Sequence, residues 1–145
     1  MIEKVSEDTI VKRFHEHITK LKFEEVSIYL EVPSLGQSVD MVYAYNNELT
    51  FVEAKLNDWK KALQQCRNHT LVADFIYILI ATKKINKELL DTATSFGIGV
   101  LHYRDGNFFE VLEAKKNSQA WEPQRNELKN YLINKACLHH LHNIG

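Results

Sequence analysis

The sequence predicts an α/β fold: an αβββαβ core with a mixed central sheet flanked by helices, to which a C-terminal β-hairpin and helix are added. Three observations carry this. The spacing of apolar residues is helical from 6 to 22 and changes to β-rich runs between 26 and 55. The continuous apolar run 75–81 follows a second helical stretch, as suits a strand buried on both faces of a sheet. Turn signals at Asn46-Asn47 and Asp105-Gly106 each separate two such β-rich runs.

In the first element, Ile10, Phe14, Ile18 and Leu21 fall on one stripe of a helix over about 6–22, with Ser6 as its N-cap. Residues 26–31, 38–45 and 49–55 are rich in β-branched and aromatic side chains and read as three antiparallel strands. Asp58 caps a second helix to about residue 73, and the strand over 75–81 completes a βαβ crossover. A helix near 86–96 is ended by Gly97, a hairpin pairs 98–103 with 108–112, and a last helix starts after Pro123. No repeat, low-complexity stretch or Pro/Gly-rich linker divides the 145 residues. The expectation is one domain over 1–145, with its core at about 6–82 and the addition at about 83–145.

Lys and Arg total 18 against 19 Asp and Glu, a formal net charge of −1, and the 45% hydrophobic and 26% charged content is that of an average soluble domain. This balance speaks against disorder, a histone-like basic protein and an acidic tail. The longest apolar run is far short of a membrane span, and the N-terminus is charged where a signal peptide is apolar. A cytoplasmic protein with no membrane partner is expected. Cys66 and Cys137 have neither CxxC nor metal-ligand spacing, so reduced thiols are expected. The net charge conceals a division, because residues 53–87 hold seven basic side chains (Lys55, Lys60, Lys61, Arg67, Lys83, Lys84, Lys87) and three acidic ones (Glu53, Asp58, Asp74).

Strand parity brings three charges together. With Asn46-Asn47 as the whole turn, Tyr45 pairs with Glu48 and Asp40 lies opposite Glu53, with Lys55 two residues further on the same face. With a four-residue loop, Asp40 faces Lys55 and is diagonal to Glu53. Val42, Ala44, Leu49 and Phe51 share that face, and Val39, Met41, Tyr43 and Val52 take the other, so both faces are apolar enough to be covered. Two desolvated carboxylates repel unless a cation sits between them, and hard oxygen ligands suit Mg²⁺ or Mn²⁺. The Lys55 ammonium is placed to position or deprotonate a water and to offset charge developing on a phosphorane-like transition state.

Gly36-Gln37-Ser38-Val39-Asp40 and Phe51-Val52-Glu53-Ala54-Lys55, set in this order of elements, resemble the PD-(D/E)xK nuclease superfamily, the restriction-endonuclease-like and Holliday-junction-resolvase-like fold, over about 6–82. Val39 stands where the superfamily's name has proline, which many members also lack. The resemblance implies a metal-dependent endonuclease acting on phosphodiester bonds in DNA, with Asp40 and Glu53 holding Mg²⁺ or Mn²⁺ and Lys55 assisting the attacking water. Many members add a Gln from the following helix. Gln65 lies at the edge of the arc formed by Trp59, Ala62, Leu63, Cys66, Thr70 and Ala73, whereas Gln64 points away. Gln65 is therefore the candidate, either orienting in the site or clamping the neighbouring strand. Some relatives supply a Glu from the first helix. Glu7 lies in the middle of the stripe of Ile10, Val11, Phe14 and Ile18, as a metal-site auxiliary or as a first-turn acid opposing the helix dipole. Lys60, Lys61, Arg67, Lys83 and Lys84 are the expected phosphate contacts. DNA is the implied partner, RNA is also compatible, and a homodimer or larger complex is admitted by the resemblance.

Two other readings fit the same chain. One is a nuclease-like fold used as a nucleic-acid or protein-binding module without turnover. The other is a homo-oligomer whose interface is the C-terminal helix with Tyr131, Leu132, Ile133, Leu138 and Leu141. His139, His140 and His142 fit no zinc spacing and read as a polar helix tail. His69 reads as a boundary residue, and Trp59 and Trp121 as core or helix anchors. There is no Gly-rich phosphate loop, no GxSxG and no Cys/His nucleophile pair.

Overall fold

The computed structural model describes residues 6–22, 26–117 and 122–144, with the side chains of 22 and 135–144 outside the description. The expectations for Trp121, Cys137, Leu138, His139, His140, Leu141 and His142 therefore lie outside the described residues. The chain forms α1 (Glu7–Lys22), β1 (Ser27–Ser34), β2 (Gln37–Tyr45), β3 (Glu48–Lys55), α2 (Trp59–Arg67), β4 (Phe75–Ile80), α3 (Lys87–Phe96), β5 (Gly99–Arg104), β6 (Asn107–Leu112) and α4 (Glu122–Ile144). The strands make one open sheet in the order β1-β2-β3-β4-β5-β6. β3, β4 and β5 run parallel through the α2 and α3 crossovers, and the other neighbours are antiparallel. The α/β class and the mixed sheet are thus as expected.

Local chemistry sets the boundaries. The three hairpins turn at Leu35-Gly36, Asn46-Asn47 and Asp105-Gly106, each pair with both φ angles positive, the geometry whose twist matches the flanking strands. The first was not legible, because leucine at φ 50° is no turn former, and β1 and β2 are longer than expected as a result. Pro33 is accordingly inside β1, tolerated because β1 is an edge strand. Ser6 Oγ accepts from Thr9 N at 3.1 Å, Asp58 Oδ1 from Lys61 N at 3.1 Å and Asn86 Oδ1 from Glu88 N at 2.7 Å, and Gly97 ends α3 at φ 71°.

α2 is shorter than the sequence predicts, stopping at Arg67. Asn68, Thr70 and Val72 are poor helix formers. The chain must also turn so that Asp74 meets β3, where Asp74 N donates to Leu49 O at 2.9 Å and Leu49 N donates to Asp74 Oδ2 at 2.7 Å. Arg125 of α4 adds an ion pair to the same buried carboxylate at 3.0 Å, and Lys129 Nζ donates to the Asn47 carbonyl at 3.1 Å. These contacts hold α4 against the β2–β3 turn.

Each sheet face has its own core. Val42, Leu49, Phe51, Ile76 and Ile78 pack with Ala62, Leu63, Cys66, Leu89, Ala93, Leu128 and Leu132 from α2, α3 and α4. On the other face Ile10, Phe14 and Ile18 of α1 pack on Met41, Val52, Ala54, Leu79 and Tyr103. Val39 corrects the parity argument, since it joins the Val42 face and not the Met41 face. The β1–β2 ladder pairs Leu30 with Met41 and Val32 with Val39 but skips Glu31 and Asp40, and Glu31 takes φ 51°. The register is the same on either side of the skipped pair, so no residue is inserted there.

Gly99 illustrates how tightly β5 is seated. A Cβ there would run into the Tyr77 ring and stand 2.7 Å from Ala114 N. Gly99→Ala is expected to cost about 2–3 kcal/mol by overpacking, read as a lower urea midpoint with unchanged slope. An unchanged midpoint would contradict this packing. Among the described residues no helix is long and apolar enough to cross a membrane.

Candidate active site

The β2–β3 hairpin sets the site. Met41 pairs with Val52 and Tyr45 with Glu48, so Asn46-Asn47 is the complete turn and the two-residue register holds. Asp40 lies one step beyond the last pair, at the level of Glu53. There its side chain replaces the ladder, with Oδ2 accepting from Ala54 N at 2.8 Å. Burial pushes the Asp40 carboxyl up to about 7, and the charge of Glu53 together with a hydrogen bond shared with it push the same way. The Ala54 N–H and the Lys55 ammonium offset this in part.

Glu53 is buried in the sheet interior, level with Ile78 of β4. Its Oε1 is 2.9 Å from Nε2 of His69, which is equally buried and presents its ring edge to Phe51 at 5.0 Å between centroids. His69 is thus no boundary residue, but the partner that satisfies a carboxylate inside the core. Its position three residues after Cys66 and seven after Ala62, on the apolar stripe of α2, was the available signal. The chain leaves the helix just before His69, yet the His69 N–H still donates to Cys66 O at 3.0 Å and keeps the side chain on that stripe. Cys66 is a buried free thiol pushed up by burial and by the nearby charges of Glu53 and Asp40.

Lys55 ends β3, and its Nζ is 3.8 Å from Glu7 Oε2. The lysine side chain is largely covered and the glutamate half-exposed. Glu7 therefore joins the cluster from α1, as a partner of Lys55. Gln65 faces inward where Gln64 is exposed, and its Oε1 is buried with no hydrogen-bond partner. It lies four residues before His69 in the chain. Lys60 and Lys61 are exposed at the start of α2, and Lys83 and Lys84 are exposed just past β4, whose Ile80 is level with Lys55. All four border the carboxyl edge of the parallel strands, where ligands bind in open α/β sheets. Arg67 stands in the last turn of α2, over the Phe96 ring at 4.5 Å, where it lines one groove together with Lys60 and borders a cavity of about 560 Å³ that Lys115 and Lys116 also line.

Among the described residues no three His, Cys, Asp or Glu side chains form a metal-ligand group. A divalent cation here would rest on two carboxylates and neutral oxygens. That set suits Mg²⁺, which takes one or two carboxylates and completes its shell with water and substrate phosphate. The buried, unpartnered Gln65 Oε1 and the mutual repulsion of Asp40 and Glu53 both fit such an ion.

The raised Asp40 carboxyl has a consequence for stability. The native protein binds more protons than the unfolded chain between the ordinary value of 3.8 and about 7. In EDTA its stability therefore falls as pH rises through that window and stays lowered above it. The drop is expected to be about 1–2 kcal/mol, the full linkage being reduced by solvent screening. Asp40→Asn should flatten the profile, and urea unfolding at pH 5 and pH 8 checks both statements.

No protein-family model matches the chain, and no curated protein matches it. Among solved structures it is similar to a protein of unknown function from Silicibacter pomeroyi, with 15% identity and a TM-score of 0.68 over 94% of this chain and 90% of that one. At this identity the likeness shows the fold. It is also similar to Pyrococcus furiosus SfsA, determined in complex with Ca²⁺, at 14% identity and a TM-score of 0.41 over 74% of this chain and 61% of that one, a likeness that carries no argument. What the comparisons establish is a shared α/β architecture.

Proposed function

We propose that this protein is a metal-dependent nuclease of the restriction-endonuclease-like type, hydrolysing phosphodiester bonds in DNA. The observation that carries the reading is the pairing of Asp40 and Glu53, desolvated side by side, with the Lys55 ammonium at the same sheet edge. The order α1-β1-β2-β3-α2-β4 supports it, being the order the resemblance implies. A pure binding module gains nothing from buried carboxylates that repel phosphate.

In this reading Asp40 and Glu53 hold Mg²⁺ or Mn²⁺, which when bound supplies Lewis acidity and neutralises charge at the phosphate. His69 and the Ala54 N–H each occupy one carboxylate oxygen and so fix how the pair faces. Lys55 positions the attacking water, and Glu7 holds the lysine's reach. Gln65 orients from the flank through its unpartnered carbonyl oxygen. Lys60, Lys61, Lys83 and Lys84 supply sequence-independent phosphate contacts.

The test is incubation of the purified protein with single-stranded, duplex and branched DNA and with RNA, in Mn²⁺, Mg²⁺ or EDTA. Cleavage of DNA in either metal and not in EDTA is expected. No cleavage of any substrate, or cleavage that persists in EDTA, overturns the reading.

A further inference from the structure

α2 and α3 cover the same face of the sheet, and a groove separates their outer surfaces. Lys60 and Arg67 stand on its α2 wall, Glu88 and Phe96 on its α3 wall. The two cations are seven residues apart, about 10 Å along the helix. Lys60 is at the start of α2, by the carboxyl edge of the parallel strands, and Arg67 is at its end, by the amino edge. There the groove adjoins the cavity of about 560 Å³, which Arg67 and Phe96 also line. Lys115 and Lys116 bring two further cations to that cavity from the chain beyond β6, and among the described residues that line it there is no acid.

A cation in the last turn of α2 is accounted for by the negative end of the helix dipole. Lys115 and Lys116 are not, because they belong to no helix. Their segment is held in place by its backbone and by Asn117: Lys115 N donates to Gly97 O at 3.0 Å, and Asn117 Nδ2 donates to Ala73 O at 3.1 Å. Lys116 is paired with Glu48 at 3.1 Å, whereas Arg67 and Lys115 are exposed and have no carboxylate partner among the described residues. Ile76 lines the cavity and Ile80 is level with Lys55, so the cavity lies about 13 Å along β4 from the candidate site. Cations strung along such a distance, with Lys60 between, match a chain of phosphates, which advances about 3.4 Å per nucleotide in a duplex.

We propose that Arg67 and Lys115 form a second phosphate-binding site at the amino edge of the sheet, where they hold a nucleic-acid backbone about four phosphates from the point at which it meets Asp40, Glu53 and Lys55. The contact is to phosphate and is independent of base sequence. The point of cleavage rests on the nuclease reading, but the binding is measured without catalysis.

The test is fluorescence anisotropy in EDTA over a series of salt concentrations, with a labelled DNA oligomer of about 20 nucleotides as a single strand and as a duplex. Wild type should bind at least one form, with an affinity that falls linearly with salt on logarithmic axes. Arg67→Ala and Lys115→Ala should each lower that slope by about one and weaken binding about 5- to 10-fold near 0.1 M salt, the effect of one lost phosphate contact. Lys20→Ala, an exposed cation of α1 on the opposite face of the sheet, should do neither. Circular dichroism confirms that the three variants fold. No binding of either form, an unchanged slope in Arg67→Ala or Lys115→Ala, or an equal loss in Lys20→Ala overturns the second site. Mn²⁺-dependent cleavage by the wild type then leaves the nuclease reading standing. The expected slope changes in a protein that cleaves nothing in Mn²⁺ support the second site and end the nuclease reading.

Discussion

Asp40→Asn and Lys55→Ala are each expected to lower Mn²⁺-dependent cleavage by about 10²–10⁴-fold, the range for removing one positioned group that acts only in the transition state. They should do so for different reasons. Asp40→Asn keeps an oxygen for the Ala54 N–H, so the hairpin end survives, but it removes one of the two charges a cation needs. Lys55→Ala leaves both carboxylates in place and removes the group proposed to position water, so metal affinity should be retained while turnover is lost. Initial rates at saturating Mn²⁺, with circular dichroism to confirm folding, separate the two. Folded variants that cleave like wild type would show that the activity comes from elsewhere.

The largest stability effect is expected at His69. His69→Leu leaves the Glu53 carboxyl group enclosed in the core without its 2.9 Å hydrogen-bond partner, and stripping a buried polar group of its partner costs about 1–3 kcal/mol, more if the group is ionised. The expected result is a lowered urea midpoint. Glu53→Leu combined with His69→Leu should recover much of the loss, because replacing both partners with apolar groups removes the desolvation penalty. A single substitution costing less than about 1 kcal/mol would mean that the pair does not stabilise the fold. The double variant has no site left, so it also separates what the pair does for stability from what Glu53 does for function.

Much of this arrangement was legible in the chain, and the reasons are local. Asn46-Asn47 suits a turn with positive φ at both positions, and that turn sets the register which brings Asp40 to Glu53. Asn86, Gly97 and Asp105-Gly106 mark their elements through equally local chemistry. What could not be read depends on contacts distant in sequence. The end of α2 at Arg67 follows from the need for Asp74 to reach Leu49. The place of Val39 with the Val42 core, and not with Met41, has no signal in the alternation of β2. The role of His69 is not readable from the chain, because a histidine on an apolar stripe has meaning only once its partner is known, and Glu53 lies 16 residues away.

The central claim is that Asp40 and Glu53 together form a divalent-cation site, and calorimetric titration with Mn²⁺ near pH 7 tests it most directly. Wild type should give a saturable isotherm whose heat varies with the ionisation enthalpy of the buffer, because Asp40 is part-protonated there and the ion displaces its proton. Asp40→Asn should show no binding over the same range. A wild type that takes up no Mn²⁺, or an Asp40→Asn protein that binds it equally well, would contradict the account.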